Sequence, residues 1–136
     1  MEQIAAAFAR QTRLYRHFNH FFDDFDVLIA PATSVAAFPH AQWYPTQVEG
    51  REMPTYMTWL AITYGVTMME ACACCLPCGL GADGLPFGLQ IIGPRGSDRK
   101  VLEVALALEE VIAGDSALAI PRPDLARLAT ATPIKG

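Results

Sequence analysis

This chain of 136 residues is poor in charge, in serine and in lysine. Only 18% of its residues are charged, whereas charged residues make up about a quarter of an average soluble domain. Ten basic residues against 14 acidic ones give a formal net charge of −4, which leaves no basic footprint for nucleic acid. We therefore expect no nucleic-acid partner.

Long apolar runs are also missing. Nowhere do 18 apolar residues follow one another, so the sequence predicts no membrane-spanning helix and no membrane partner. The first 20 residues contain Glu2 and three arginines, and they lack the apolar stretch and cleavage site of a secretory signal. We therefore expect a cytoplasmic location.

Apolar residues, in contrast, are abundant. They make up 52% of the sequence, enough to bury a core and to exclude a disordered chain. The length predicts a single domain over 1–136. High apolar content with little charge also indicates that something outside this chain covers part of its apolar surface.

Hydrophobic periodicity and turn residues predict a chain of the α/β class, with helices and short strands. Ser97 is predicted to cap the last helix, and the Asp83-Gly84 pair predicts a β-hairpin. The predicted ranges are helices over 2–22, 55–69 and 98–113, strands over 26–30, 73–80 and 87–92, an irregular segment over 33–54, and a tail rich in proline, alanine and threonine over 121–136.

All four cysteines lie within seven residues, as Cys72, Cys74, Cys75 and Cys78. Four thiolates are the right number for a zinc site, but a short extended stretch does not easily wrap around one ion. Cys75 and Cys78 have the spacing of a redox pair, although no helix signal follows them. Packing as small apolar side chains is the third interpretation, and we favour it. We expect no metal and no cofactor.

Three blocks in this order resemble the amidase signature family. The longest block is Leu76-Pro-Cys-Gly-Leu-Gly-Ala-Asp-Gly-Leu-Pro-Phe-Gly-Leu-Gln-Ile-Ile-Gly-Pro94, with a helix shortly after it. The run Asp26-Val-Leu-Ile-Ala-Pro-Ala-Thr33 resembles a strand of that family, and Pro121-Arg-Pro-Asp-Leu125 is similar to its usual ending. The resemblance covers 25–128 and leaves 129–136 as a tail.

The resemblance implies the C-terminal portion of the amidase signature fold, a mixed β-sheet flanked by helices. Members of that family cleave or transfer amides with two serines and a lysine, and these lie in a Gly/Ser-rich region that precedes the blocks found here. This chain has only Ser34, Ser97 and Ser116, with Lys100 and Lys135, and none of them lies in such a loop. We therefore name no catalytic residue.

The resemblance places a substrate pocket near the segment after residue 58. Trp59, Leu60, Ile62 and Thr63 are our pocket candidates. The family tends to have Thr-x-Pro-x-Asn-x-x-Gly-x-Pro-Ala from position 63 onward, and this chain keeps Thr63 and Ala73 but departs at Gly65, Thr67, Glu70 and Cys72. Glutamine-using members of the family, the amidotransferases, are expected to have an Asp where Leu60 stands. Because leucine cannot neutralise an ammonium group, an apolar or aryl amide fits better.

The resulting hypothesis is a C-terminal piece of an amide-hydrolysing enzyme that is inactive alone. Its expected partner is the missing N-terminal catalytic part, and a small amide is its substrate only when that part is present. One alternative is a stand-alone module that self-associates or binds another protein through exposed sheet edge and apolar surface. A second alternative is a thiol or metal protein that uses the run Cys72 to Cys78.

Overall fold

The computed structural model describes residues 1–132, and positions 133–136 of the predicted tail lie outside the described residues. The helices are α1 (Glu2–Phe21), α2 (Ala61–Met68), α3 (Asp98–Gly114) and α4 (Leu125–Ala129), and a single 3-10 turn spans Thr58–Leu60. The strands are β1 (Leu28–Pro31), β2 (Gln47–Val48), β3 (Arg51–Glu52), β4 (Cys72–Leu80) and β5 (Pro86–Gly93).

Three of the strands form an antiparallel sheet in the order β1-β5-β4. The strand β5 is central, and Ile91 pairs with Ile29 on one side and with Cys74 on the other. The predicted Asp83-Gly84 turn joins β4 to β5, and Gly84 has a φ of +76°, which a glycine adopts without steric cost. The predicted hairpin and the α/β class with helices against a sheet are confirmed, and the strand pairs between residues 1 and 132 are antiparallel.

The helix α3 packs on one face of the sheet and forms the small core. Its Val101 and Ala105 meet the fully buried Ile91, with Cys74 and Leu76 packed around them. The helix α3 can approach the end of β5 closely because this strand ends in a glycine. A Cβ at position 93 would stand 2.6 Å from Val101 Cγ2. Val101, Ala105 and Ile112 of the apolar stripe predicted for this helix are buried as expected, whereas Leu102 and Val111, which were predicted to belong to it, are exposed.

Ser97 does not cap α3 with its side chain, and that prediction is wrong. Its hydroxyl instead donates a hydrogen bond of 2.7 Å to the carbonyl of Pro94 and lies 3.3 Å from Cys72 Sγ. A serine hydroxyl competes for nearby carbonyls in this way when the preceding turn brings one within reach. The side chain thus joins the turn before α3 to the start of β4.

Two other elements differ from the prediction. The segment 33–54 is not wholly irregular, because β2 and β3 form a small hairpin around Glu49 and Gly50, both at positive φ. The helix predicted from residue 55 begins at Ala61. The hydroxyls of Thr55 and Thr58 bond each other at 2.9 Å, and such local side-chain bonds favour a turn over a regular helix.

Much of the chain remains accessible to solvent. The accessible surface is 10647 Å² for a mass of 14.8 kDa, whereas a folded monomer of that mass exposes about 7,000 Å². Among residues 1–132 the buried hydrophobic core consists of Ile91, Ile92, Val101, Ala105 and Ile112, and Pro45 is buried as well. This core is small for the length of the chain, so the fold leaves about 3,600 Å² more surface open than its mass requires.

Glu70 occupies a left-handed backbone conformation with a φ of +52°, at the position where the resemblance has a glycine. That conformation costs a side chain about 1 kcal/mol or more, and glycine does not incur this cost. Glu70 also forms an ion pair with Arg95 at 2.8 Å, but both side chains are exposed, so this pair adds little to the stability of the fold.

We expect Glu70→Gly to be about 1 kcal/mol more stable than Glu70→Ala in urea unfolding, because both variants lose the ion pair and only glycine relieves the strain. Alanine is the matched control, since it changes the side chain and keeps the unfavourable φ. Equal stabilities for the two variants would show that the backbone at this position is not strained.

Candidate functional site

The segment that carries the predicted pocket residues is tied to the sheet by side-chain hydrogen bonds. The Gln90 Nε2 donates to the carbonyl of Pro31 at 2.9 Å and to that of Ile62 at 3.2 Å. The Ser34 hydroxyl donates to the carbonyl of Trp59. Because Gln90 lies in the central strand and is buried, these bonds fix α2 and the turn before it against β1 and β5.

Trp59 lies among aromatic side chains. Its ring meets Phe38 edge to face at 5.7 Å and Tyr56 at 6.2 Å between ring centroids, an arrangement that aromatic pairs favour. Its Nε1 is buried and has no hydrogen-bond partner among residues 1–132. Trp59 also borders a cavity of about 310 Å³, which is lined by Ala32, Thr33, Val35, Ala36, Ala37, Phe38, Trp59, Gly81, Asp83, Leu85, Pro86, Phe87 and Gly88. We call this the aromatic cavity.

Ile62 borders a different opening, a groove of about 360 Å³ between α1, α2 and the sheet. Its lining is almost wholly apolar and consists of Leu14, His17, Phe18, Leu28, Ala30, Ile62, Gly65, Val66, Met69, Gln90 and Ile92. Leu60 and Thr63 line neither opening, and the Thr63 hydroxyl donates to the Leu60 carbonyl at 2.7 Å within its own turn. The structure therefore does not bring the four pocket candidates into one cavity.

Lys100, Ser34 and Ser97 are held in structural contacts. Lys100 Nζ lies 2.6 Å from Asp26 Oδ1. The hydrogen bond and charge of Lys100 hold the pKa of Asp26 below its usual range. Ser97 donates to a backbone carbonyl, and between residues 1 and 132 no hydrogen bond joins it to Lys100. Lys135 lies outside the described residues.

The four cysteines lie on one extended strand, and their exposure alternates along it. Cys72 donates from Sγ to the carbonyl of Pro94 at 2.8 Å, and Cys74 packs against the core. Cys75 is exposed, whereas Cys78 is half-buried. Because successive side chains of a strand point to opposite faces, this geometry argues against a Cys75–Cys78 redox pair. Within the described chain, no three His, Cys, Asp or Glu side chains are grouped to hold a metal ion.

Sequence reasoning missed Gln90 and Ser34, which position the segment after residue 58. A signal for Gln90 was present, since it is the only polar side chain in the otherwise apolar run 87–92. A polar residue at such a position is retained when it satisfies buried partners. Ser34 gave no comparable signal, because its partner lies 25 residues further along the chain.

Comparison with known proteins decides the family. The model of the Amidase family matches residues 2–102, about three quarters of the chain. The chain belongs to the amidase signature family. The match includes α1, which lies ahead of the blocks that carry the resemblance, and it ends within α3. The ending Pro121-Arg-Pro-Asp-Leu125 lies beyond the matched residues, so its resemblance stays a prediction.

Similar proteins include two kinds of family member. An acylamidase of Rhodococcus erythropolis is 36% identical over 91 residues, which cover 67% of this chain and 19% of that enzyme. The A component of the glutamyl-tRNA(Gln) amidotransferase of Salinispora tropica is 36% identical over 104 residues, which cover 75% of this chain and 19% of that protein. The chain thus spans about a fifth of the length of the relatives it matches.

Among the helices of residues 1–132, none combines the length and the hydropathy that a membrane crossing requires. The longest helix, α1, carries Arg10, Arg13 and Arg16 along its length.

Proposed function

We propose that this chain is the C-terminal portion of an amide-hydrolysing enzyme and forms one wall of its substrate pocket. The observation that carries the proposal is the aromatic cavity beside Trp59, in a chain that belongs to the amidase signature family. The nucleophile and the base come from the region that this chain does not contain. The chain alone therefore does not hydrolyse amides.

The walls of the aromatic cavity favour an aryl group on the substrate. Phe38, Trp59 and Phe87 supply aromatic surface around a volume of about 310 Å³, which is near the lower limit for small-molecule sites. An anilide or a benzamide carries such a ring, and the acylamidase among the relatives provides a suitable catalytic frame.

The test is a chimera in which this chain replaces the matching fifth of the acylamidase of Rhodococcus erythropolis. In it, Trp59→Ala should lower kcat/KM for 4-nitroacetanilide by about fivefold, because an aromatic contact in a pocket contributes on the order of 1 kcal/mol. The same change should leave hydrolysis of propionamide nearly unaltered, since that substrate has no ring to place in the aromatic cavity.

Trp43→Ala is the matched control, because the Trp43 side chain is 88% exposed and borders neither opening. It should change neither substrate's kcat/KM by more than about twofold. If Trp59→Ala and Trp43→Ala affect the two amides alike, the aromatic cavity is not part of the substrate pocket.

A further inference from the structure

The N-terminal half of α1 carries apolar side chains that nothing in residues 1–132 covers. Ile4 and Phe8 are 58% and 64% exposed, and they are neighbours one helical turn apart. With Leu14 and Met68 they border an open concavity of about 740 Å³, which we call the α1 cleft. The C-terminal half of the helix, in contrast, packs Phe18 against the apolar groove beside the sheet.

The α1 cleft belongs to the part of the chain that is shared with the family. The family match begins at residue 2, so the helix is part of the amidase fold and not an appendage of this chain. Leu125 and Leu128 on α4 are 73% and 59% exposed, but they lie outside the matched residues. These two leucines therefore provide a comparison surface of similar exposure.

The amount of open surface indicates a large occupant. One partner in a standard interface contributes about 800 Å², whereas this chain exposes about 3,600 Å² more than a monomer of its mass. A symmetric pair of these chains through one patch would leave most of that excess open. The matched relatives are about five times as long as the segment they share with this chain, and a polypeptide of that size can cover several faces at once.

Charged side chains at the rim of the α1 cleft restrict which partner surfaces are complementary to it. Arg10 lines the α1 cleft, and Arg13 follows it by three residues on the helix surface. Neither arginine forms an ion pair within residues 1–132. A partner surface with carboxylates beside an apolar ridge would complement both the arginines and the exposed Ile4 and Phe8.

We propose that the α1 cleft is a docking surface for the polypeptide that supplies the remaining four fifths of the amidase, with an apolar side chain seated beside Phe8 and a carboxylate facing Arg10. The identity of this partner rests on the proposed function, whereas the location of the surface rests on the exposure, volume and charge described above. Binding therefore has readouts that do not depend on amide hydrolysis.

The experiment co-expresses the full chain with acylamidase of Rhodococcus erythropolis that lacks its matching 91 residues. The two should purify as a 1:1 complex. Ile4→Glu combined with Phe8→Glu should weaken the complex at least about 100-fold, because two carboxylates would be buried without partners. Leu125→Glu combined with Leu128→Glu, the matched control, should weaken it by less than about twofold. Arg10→Glu should weaken it by about fivefold and reduce its dependence on salt.

The same double variants are also measured in the chimera, where the rest of the enzyme is covalently attached. In the chimera, Ile4→Glu combined with Phe8→Glu should lower the Tm by several degrees. In the isolated chain the same double variant should leave the Tm nearly unchanged, because the α1 cleft is open in that chain. The proposal is wrong if the α1 and α4 variants act alike in both settings, or if the folded parts do not associate. If instead the isolated chain forms a dimer and the α1 variant dissociates it, the occupant of the α1 cleft is a second copy of this chain. That result would also overturn the proposal.

Discussion

Ile91→Ala is expected to lower the free energy of unfolding by about 3 kcal/mol, a large fraction of the stability of a domain with so small a core. Ile91 is 0% exposed and lies at the centre of the sheet, against Val101 and Ala105 of α3. Removing three carbon atoms there loses their burial and leaves a cavity that the stiff central strand cannot close. Urea unfolding followed by circular dichroism measures the loss.

Ile29→Ala is the matched control for this prediction. Ile29 pairs with Ile91 in the β1–β5 register, yet its side chain is 45% exposed. The same chemical change should therefore cost less than about 1 kcal/mol at position 29. Similar losses at the two positions would mean that α3 does not cover the sheet in the way described.

Gln90→Leu is expected to cost about 2 kcal/mol and to loosen the segment that carries the pocket candidates. The side chain is buried, and its amide donates to the carbonyls of Pro31 and Ile62. Loss of a buried donor removes two hydrogen bonds and leaves polar groups without a full set of partners. Hydrogen exchange should show faster opening of α2 in the variant, and Gln47→Leu at an exposed strand position should change neither measurement.

For the variant Gln90→Glu, we expect the loss of stability to depend on pH. Burial opposite two carbonyls should raise the pKa of the new carboxyl above its unfolded value of about 4.3. At pH 7 the buried charge should make this variant less stable than Gln90→Leu. As the pH falls through the raised pKa, the protonated carboxyl can donate a hydrogen bond, so the deficit should shrink. A deficit that is the same at pH 4 and pH 7 would contradict the burial of this site.

Local patterns in the sequence were sufficient to predict the hairpin and the long helices. The Asp83-Gly84 pair predicted the hairpin, and the chain does reverse there, with Gly84 at positive φ in the five residues that join β4 to β5. The 3.6-residue period of apolar residues predicted α1 and α3, although only α3 buries residues of its apolar face. These predictions depended only on residues close together in the chain.

The features that local patterns did not supply depend on contacts that spacing along the chain does not show. Ser97 has the residue type of a helix cap, but its hydroxyl finds the Pro94 carbonyl and Cys72 first. The four pocket candidates are close in sequence, yet Trp59 and Ile62 border two separate openings because the chain turns between them, and a role of these residues in binding substrate stays a prediction. Neither outcome could be derived from spacing alone.

The location of the catalytic groups is tested most directly by the rate of 4-nitroacetanilide hydrolysis, measured at equal concentration for the isolated chain and for its chimera with the acylamidase. We expect a rate for the isolated chain no higher than that of buffer, and turnover by the chimera that is lost when the acylamidase's own nucleophilic serine is replaced by alanine. Turnover by the isolated chain at enzyme-like rates would contradict the claim that the catalytic groups lie outside it.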